Sequence, residues 1–249
     1  MKHGVAASLV IWTGLLGITI GFVLLAPPVF LAVRLASSIP WPRLARWCIW
    51  AYGRAVAGML GLAVPVGFTG AHGRVGDPPR IFVFNHASFL DLFLITLAVP
   101  PDTICLARQW PFSVPVFGPV MRLGGYINVE KLEGGQALTQ AKALLEEGVS
   151  LAVFPEGTRS RTGELGRFRS GAFKLSIETG IPVRPVSIEG SGRVLPPKTL
   201  LARPGHIRVH VLDDIVPAPY IGEGLGHSAM RRLTRECIRA AGVPAQATS

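Results

Sequence analysis

Two side chains with the potential for proton transfer, His86 and Asp91, lie five residues apart after an apolar run typical of a buried strand. Ser88 and Asp91 have the S-x-x-D spacing of a capping box, which predicts a helix capped by Ser88 with Asp91 at its third position. His86 then lies in the preceding loop and can fold back toward Asp91, whereas on a continuous helix the two would point about 140° apart. A carboxylate beside an imidazole fixes the tautomer and leaves the far ring nitrogen free to accept a proton. The pair alone is equally compatible with a general base and with a plain helix cap beside a loop residue.

The sequence offers this base no obvious protein nucleophile. A G-x-S-x-G elbow, the usual setting of the catalytic serine in α/β hydrolases, does not occur in the chain. Cys105 stands alone in an apolar run and is expected in the core. We therefore expect the substrate to supply the nucleophile, such as an alcohol that the histidine activates for direct attack.

A second polar cluster follows another predicted strand. Residues 154–160 read FPEGTRS and lead through a polar loop to FRSGAFK at residues 168–174. Proteins with α/β folds commonly bind ligands where a strand ends, and the planar guanidinium of Arg159 can donate two parallel hydrogen bonds to phosphate oxygens. Arg169 and Lys174 are further candidate cations. A solvated surface arginine is the alternative interpretation of Arg159.

The second part of the chain alternates between β-rich and helical runs, which predicts an α/β fold with a mixed sheet layered with helices. No internal repeat or long linker divides it, so residues 66–249 are expected to form one cytoplasmic α/β domain. Residues 109–123 are rich in Pro, Phe and Val and fit either a membrane-touching helix or a wall of loops. The predicted strands are residues 80–85, 103–107, 126–130, 150–154, 183–188 and 206–212, and the predicted helices are residues 88–98, 135–147, 170–179 and 227–241.

Residues 1–65 are expected to form a membrane anchor of two hydrophobic helices. Residues 4–33 contain no charged side chain, and a helix over residues 4–26 would be about 34 Å long, enough to cross a hydrocarbon core of about 30 Å. We expect Pro27 and Pro28 to break or kink this helix. The apolar run is longer than the core of a signal peptide, so the segment is expected to remain in the mature protein.

The second predicted helix, residues 38–62, begins with aromatic side chains placed between arginines. This pattern fits a position among lipid headgroups and fits a buried scaffold helix equally well. One lysine precedes the first helix and several arginines follow it, so the positive-inside rule places the bulk of the chain on the cytoplasmic side. Whether the first helix spans the membrane or enters one leaflet is left open.

The charge, hydropathy and cysteine content of the chain indicate which kinds of partner and compartment to expect. Lys and Arg number 25 against 15 for Asp and Glu, a net charge of +10 that favours an anionic partner such as nucleic acid, an acidic membrane or a phosphorylated substrate. A mean hydropathy of +0.42 excludes a disordered chain. No nucleic-acid-binding fingerprint is present, so nucleic acid is not expected as a partner. The three cysteines form no C-x-x-C pair, which argues against a disulfide framework or a zinc knuckle and fits a reduced compartment.

Three weaker patterns have structural interpretations. His206 and His210 share a face of a predicted strand but lack a third ligand, so no metal site is expected. Asp213 and Asp214 lie close to prolines, which is typical of a turn. The arginines of the last predicted helix form a basic face that is either solvated or in contact with anionic lipid or a donor substrate.

Four sequence blocks together resemble the glycerolipid acyltransferase family, and the closest branch looks like the bacterial lysophosphatidic acid acyltransferases. The blocks are NHASFLD at residues 85–91, GYINVEK at 125–131, FPEGTRS at 154–160 and IPVRPV at 181–186. They are similar to that family's H-x4-D block, its G-x-I-x-V-D-R block, its F-P-E-G-T-R block and its I-P-V-x-P-V strand. The four occur in the family's order.

The resemblance implies transfer of a fatty acyl group from acyl-CoA or acyl-carrier protein to the free hydroxyl of lysophosphatidic acid, which gives phosphatidic acid for phospholipid biosynthesis. His86 would be the base for direct attack on the thioester, and Asp91 would orient it. Glu156, Gly157 and Thr158 would contribute to the acceptor pocket. The resemblance implies no metal and no bound cofactor. It implies a lysophospholipid, an acyl donor and an anionic membrane as partners, and the cell inner membrane as the location.

The resemblance determines the acceptor headgroup less closely than the reaction. Arg159 and Lys131 would hold the acceptor phosphate. The second block departs from the family pattern, because Glu130 replaces the usual Asp and Lys131 replaces the usual Arg, which keeps the charge but loses the bidentate fork. Another lysolipid acceptor, such as lyso-ornithine lipid or another lysophospholipid, is therefore an alternative. A non-catalytic basic membrane adaptor is an alternative of another class.

Overall fold

A seven-stranded β-sheet forms the centre of the chain in the computed structural model, which describes residues 2–132, 135–160 and 162–242. Its strands are β1 (Val66–Thr69), β2 (Ile81–Phe84), β3 (Thr103–Ala107), β4 (Ile127–Asn128), β5 (Ser150–Val153), β6 (Val183–Glu189) and β7 (Ile207–Val211). They lie in the order β1-β7-β6-β2-β5-β3-β4. Every neighbouring pair is parallel except β6 and β7, which are antiparallel. The predicted mixed α/β sheet is confirmed.

Helices cover both faces of this sheet. They are α1 (Lys2–Ala36), α2 (Trp41–Ala63), α3 (Asp91–Leu94), α4 (Gln109–Phe112), α5 (Phe117–Leu123), α6 (Gln136–Glu146), α7 (Gly171–Thr179), α8 (Ser191–Val194) and α9 (Gly226–Ala241), with 3₁₀ turns at Ile95–Leu97 and Ala218–Tyr220. The ambiguous run at residues 109–123 forms the two short helices α4 and α5. Strand β1 and helix α8 were not predicted, because each is only four residues long and contains a glycine.

Strand β2 shows why the sheet needs cover on both sides. All four of its side chains are buried, and alternate residues of a strand point to opposite faces. Phe82 and Phe84 belong to a core that they share with α1, α2 and α3, whereas Ile81 and Val83 belong to a second core with α6, α7 and α9. The sheet therefore separates two hydrophobic layers, and the N-terminal helices supply one of them.

Helix α1 is longer than the sequence predicts. Pro27 and Pro28 lie inside it, and the helix continues to Ala36. Each proline lacks an N–H group, so the carbonyl groups of Val23 and Leu24 lose their helical hydrogen bonds. Because the two prolines are adjacent, the lost bonds fall within one turn, and the expected break does not occur. Among the described residues, α1 is the helix long and apolar enough to cross a membrane, and only 6% of its most apolar window is buried.

Helix α2 differs from α1 because it is largely a scaffold. It buries eight residues, and Thr19 of α1 and Tyr52 of α2 are joined by a hydrogen bond of 2.8 Å between their hydroxyl groups. Arg46 is buried, where it pairs with Asp102 and donates to the carbonyl of Gly124 at 3.0 Å. The two N-terminal helices therefore form as expected, but the membrane-crossing composition belongs to α1, and the buried-scaffold interpretation fits the eight buried residues of α2.

Candidate active site

Two loops meet at the carboxyl ends of the central strands because β2 and β5 are parallel neighbours. His86 follows the end of β2, and residues 154–160 follow the end of β5. The carboxyl ends of adjacent parallel strands lie side by side, which is the usual position of ligand sites in α/β folds. The backbone N–H of Ser160 donates to the carbonyl of His86 at 2.8 Å, so the two loops are joined directly.

The structure places His86 and Asp91 in contact. His86 Nδ1 lies 2.9 Å from Asp91 Oδ2, and the Asp91 side chain is fully buried. The same oxygen accepts the backbone N–H groups of Ala87 at 2.7 Å and of Ser88 at 2.8 Å. A hydrogen bond to the carboxylate requires the proton on Nδ1, which leaves Nε2 as the unprotonated nitrogen of the neutral ring.

The predicted capping box forms only in part. The Asp91 carboxylate accepts the N–H of Ser88, as such a box requires, but the helix begins at Asp91 itself rather than three residues earlier. Ser88 Oγ instead donates to the carbonyl of Leu195 at 2.8 Å and accepts the N–H of Leu90 at 3.3 Å. The prediction of the helix start is therefore wrong, because the buried Ser88 hydroxyl is used in a tertiary contact. His86 still lies in the preceding loop.

The imidazole of His86 is also held through its face. It stacks on the ring of Phe154, with 4.1 Å between ring centroids and an angle of 24° between the planes. Asp91 Oδ1 has no hydrogen-bond partner within the described parts of the chain. The ring is therefore fixed by one hydrogen bond at its edge and one aromatic contact, both from buried or partly buried groups. Such support limits the positions from which Nε2 can accept a proton.

Glu156 joins the histidine loop to the polar loop that follows β5. Its Oε1 accepts the backbone N–H of His86 at 2.9 Å, and its Oε2 accepts the backbone N–H of Gly166 at 2.8 Å. Burial raises the pKa of this carboxyl group, and the two hydrogen bonds oppose that shift. Glu156 therefore acts as a bridge between the backbones of two loops as well as lining the site.

A cavity of about 1130 Å³ opens beside His86. Its apolar wall includes Phe89, Leu106 and Trp110, and its polar wall comes from the loop after β5. A volume of this size exceeds the 300–1,000 Å³ that is usual for small-ligand pockets. The cavity can therefore accommodate substrates with long apolar segments together with a polar headgroup.

The structure brings four predicted site residues of the third block to this cavity, namely Glu156, Gly157, Thr158 and Arg159. Gly157 has φ +74°, and a Cβ there would lie 3.1 Å from the guanidinium of Arg169, which also lines the cavity. A side chain at residue 157 would therefore be strained and would displace Arg169.

Two predicted cations do not reach the cavity. Lys131 is exposed in the turn after β4, and Lys174 is exposed on α7. Arg108 lines the cavity instead, and its Nε lies 2.6 Å from Glu130 Oε1. Arg108 directly follows the last residue of β3, and this position at the end of a predicted strand is the sequence signal for its place in the cavity wall.

Other titratable groups that the sequence singled out do not contribute to the proposed chemistry. Cys105 lines the cavity from β3, but burial raises its pKa to about 12, so its thiol is a poor nucleophile at neutral pH. Within residues 2–132, 135–160 and 162–242, no cluster of three or more His, Cys, Asp or Glu could hold a metal ion. His210 pairs with Thr69 at 2.8 Å. Asp214, read as part of a turn, makes ion pairs with Arg80 and Arg184.

The sequence is similar to those of known acyltransferases. Residues 66–189 match the family model described as Acyltransferase. The 1-acyl-sn-glycerol-3-phosphate acyltransferase of Cocos nucifera is 28% identical over 76% of this chain and 63% of its own length. The enzyme of that name from Saccharomyces cerevisiae is 33% identical over 63% of this chain and 53% of its own length. The chloroplastic enzyme BAT2 of Brassica napus is 34% identical over 48% and 36%. The chain thus spans between about a third and two thirds of these relatives.

A solved structure has the same fold over nearly the whole chain. The crystal structure of the 1-acyl-sn-glycerophosphate (LPA) acyltransferase PlsC from Thermotoga maritima superposes with a TM-score of 0.76. The match covers 98% of each chain at 21% sequence identity. Through the domain at residues 66–189, which contains the His86–Asp91 pair and the FPEGTRS loop, this chain belongs to the acyltransferase family.

Proposed function

We propose that this chain transfers a fatty acyl group from a thioester donor, acyl-CoA or acyl-carrier protein, to the free hydroxyl of 1-acyl-sn-glycerol-3-phosphate, which gives phosphatidic acid. The observation that carries the proposal is the 2.9 Å contact between His86 and the buried Asp91 at the wall of a large cavity. The names of the curated relatives support the choice of acceptor. Both co-substrates bind and leave, and the reaction needs no resident cofactor.

The proposed mechanism is a direct attack that uses His86 as base and then as acid. The Nε2 atom accepts the proton of the acceptor hydroxyl group while the hydroxyl oxygen forms a bond to the carbonyl carbon of the thioester. The tetrahedral intermediate then breaks its carbon–sulfur bond, and the departing sulfur takes the proton back from Nε2. The Asp91 carboxylate stabilises the imidazolium that exists between these steps.

The acceptor phosphate is expected to bind close to His86. In 1-acyl-sn-glycerol-3-phosphate the reacting hydroxyl and the phosphate ester are on neighbouring carbon atoms, so their binding groups must be close together. Arg159 and Arg108 both line the cavity and can donate hydrogen bonds to phosphate oxygens. Lys131 lies outside the lining, so we assign it at most a longer-range electrostatic role.

The lipid chains are proposed to enter from the side of α1. Trp12 of α1 stacks with Phe89 at 6.4 Å between ring centroids, and Phe89 lies at the same distance from Trp110. Phe89 and Trp110 line the cavity, and Trp110 is 53% exposed. This aromatic row connects the membrane-crossing candidate helix with the cavity. We propose an inner-membrane protein whose α/β domain is cytoplasmic and binds an anionic membrane surface.

Two other functions remain as competing hypotheses. Another lysolipid acceptor, such as lyso-ornithine lipid, would use the same base but would not need the arginine pair. A non-catalytic membrane adaptor would use Asp91 for its two backbone hydrogen bonds but would not need its contact with His86 at the wall of a cavity.

The test is product formation by the full chain purified in detergent. We expect lysophosphatidic acid and acyl-CoA to give phosphatidic acid, identified by mass spectrometry against a panel of other lysolipids. His86→Ala should lower turnover by at least about 10²-fold, because a general base contributes about 10²–10⁴-fold. His227→Ala, in α9 and outside the cavity lining, is the matched control and should leave turnover unchanged. Turnover of His86→Ala close to that of wild type would refute the proposed role of the base.

A further inference from the structure

A second, basic depression lies beside the cavity. It has a volume of about 460 Å³ and is lined by Arg167, Phe168, Arg169, Ser170 and Arg231. Its lining thus contains three guanidinium groups and, within the described residues, no carboxylate. By contrast, Glu156 and Glu164 line the main cavity. Both linings carry an excess of positive charge, and the lining of the depression contains no carboxylate that would repel an anion.

The depression and the cavity share two residues. Arg167 and Arg169 line both, so a ligand can extend from the His86 side into the depression without leaving the protein surface. Neither guanidinium makes a hydrogen bond or an ion pair within the described residues. Both arginines are exposed, and their donors are available to a ligand.

The backbone that carries these arginines is held in place. Arg231 Nη1 donates to Ser170 Oγ at 2.7 Å. Arg235 donates to the carbonyl of Leu165 at 2.7 Å and to that of Gly166 at 3.0 Å. Helix α9 therefore fixes both ends of the segment between residues 165 and 170. Two of the four arginines on α9 have this structural use, on the face that the sequence predicts to be solvated or in contact with anionic lipid or a donor substrate.

The two substrates of the proposed reaction differ in where their phosphate lies. In the lysolipid acceptor the phosphate is next to the reacting hydroxyl, so it must bind near His86. In a thioester donor the phosphate is separated from the reacting carbonyl by the whole pantetheine arm, so it must bind at a distance from His86. Arg108 and Arg159, which line only the cavity, suit the acceptor phosphate, and the depression that adjoins the cavity suits the donor phosphate.

From this placement, and resting on the proposed function, we propose that Arg167, Arg169 and Arg231 form a binding site for the phosphate of the donor's phosphopantetheine arm. This phosphate occurs both in coenzyme A and in a phosphopantetheinylated carrier protein. The site is distinct from the acceptor site at Arg159. In this proposal the polar loop after β5 contacts both substrates, with Arg159 binding the acceptor and the Arg167–Arg169 pair binding the donor.

Direct binding tests the site without turnover. We expect Arg167→Gln/Arg169→Gln to weaken binding of free coenzyme A or of purified holo-acyl-carrier protein to the full chain in detergent by at least about tenfold, or about 1.4 kcal/mol. Arg232→Gln/Arg239→Gln removes the same charge from exposed positions of α9 outside both linings, and it should change binding less than about twofold. The probe that shows the larger loss identifies the donor type, and loss with either probe supports the site.

Other results overturn the site. These are equal binding by wild type and the Arg167/Arg169 variant, an equal loss in the Arg232/Arg239 control, or no binding of either probe by wild type. Kinetics then separates the two proposals. In an active enzyme, the Arg167/Arg169 variant should raise the donor KM and leave the acceptor KM within about twofold. Wild type that binds coenzyme A through these arginines but acylates no lysolipid would refute the proposed function and not the site.

Discussion

Replacing Asp91 by Asn tests the central interaction of the proposed mechanism. The substitution keeps the size of the side chain and an oxygen that can accept from His86, Ala87 and Ser88, but it removes the charge. For charges about 4 Å apart at an effective dielectric constant of about 20, the attraction between imidazolium and carboxylate is about 4 kcal/mol. Because the amide oxygen retains part of this interaction, we expect a loss of about 3–4 kcal/mol, or a kcat about 10²–10³-fold lower.

The same variant should fold. Three charge-assisted hydrogen bonds become neutral ones, at a cost of about 1 kcal/mol each, but a fully buried carboxylate no longer has to be desolvated. We expect a net change in the free energy of unfolding of about 1 kcal/mol, or a Tm shift of about 2–4 °C. The assay is steady-state acyl transfer with a thermal melt of each sample. Asp77→Asn, in a loop where the carboxylate accepts the N–H of Arg74 at 2.8 Å, is the control. A folded Asp91→Asn protein with kcat within tenfold of wild type would refute the reasoning.

Two further predictions concern the loop after β5. Burial raises the pKa of the Glu156 carboxyl group, so this group binds a proton more tightly in the folded chain than in the unfolded chain. Its contribution to the stability of the wild type therefore falls as the pH rises from about 4 through the raised pKa. The Glu156→Gln variant lacks this pH dependence. The difference between the unfolding free energies of wild type and variant, measured by urea unfolding, should therefore become less favourable to the wild type between pH 4 and pH 7. A change in the opposite direction would contradict the burial argument. Arg159→Ala should raise the acceptor KM by roughly 10–150-fold, the equivalent of about 1.5–3 kcal/mol for hydrogen bonds to a charged group. Lys131→Ala should raise it less than about threefold, and a larger effect at Lys131 than at Arg159 would reverse the assignment.

Much of the sheet was predictable because its strands are short apolar runs separated by turn residues. Strand β2 is the clearest case, since four consecutive buried side chains require a central strand covered on both faces. The contact between His86 and Asp91 was predictable as well, because a histidine just before a helix can return to the first turn. The helix start was not, because Ser88 Oγ bonds the carbonyl of Leu195, more than 100 residues away in the sequence.

The cations of the site show the limit of arguing from sequence blocks. Lys131 occupies a matching block position and yet lies outside the cavity lining, whereas Arg108 lies in no matched block and lines it. Which side chain reaches a cavity depends on how the ends of neighbouring strands are arranged in space. That arrangement follows from the strand order, in which β3 lies between β5 and β4. The order is set by packing across the whole sheet and not by local pattern.

The way α1 joins the core limits how this protein can be divided. Ile11 is 2% exposed and belongs to the same hydrophobic cluster as Phe82 in the central strand, and Trp12 and Phe22 pack against that cluster. The N-terminal helix is therefore not a removable tether. Truncation before residue 37 would leave the apolar surface of α2 in water, and the shortened polypeptide would be prone to aggregate on expression. Helix α1 and the sheet side that bears Phe82 and Phe84 therefore depend on each other to fold.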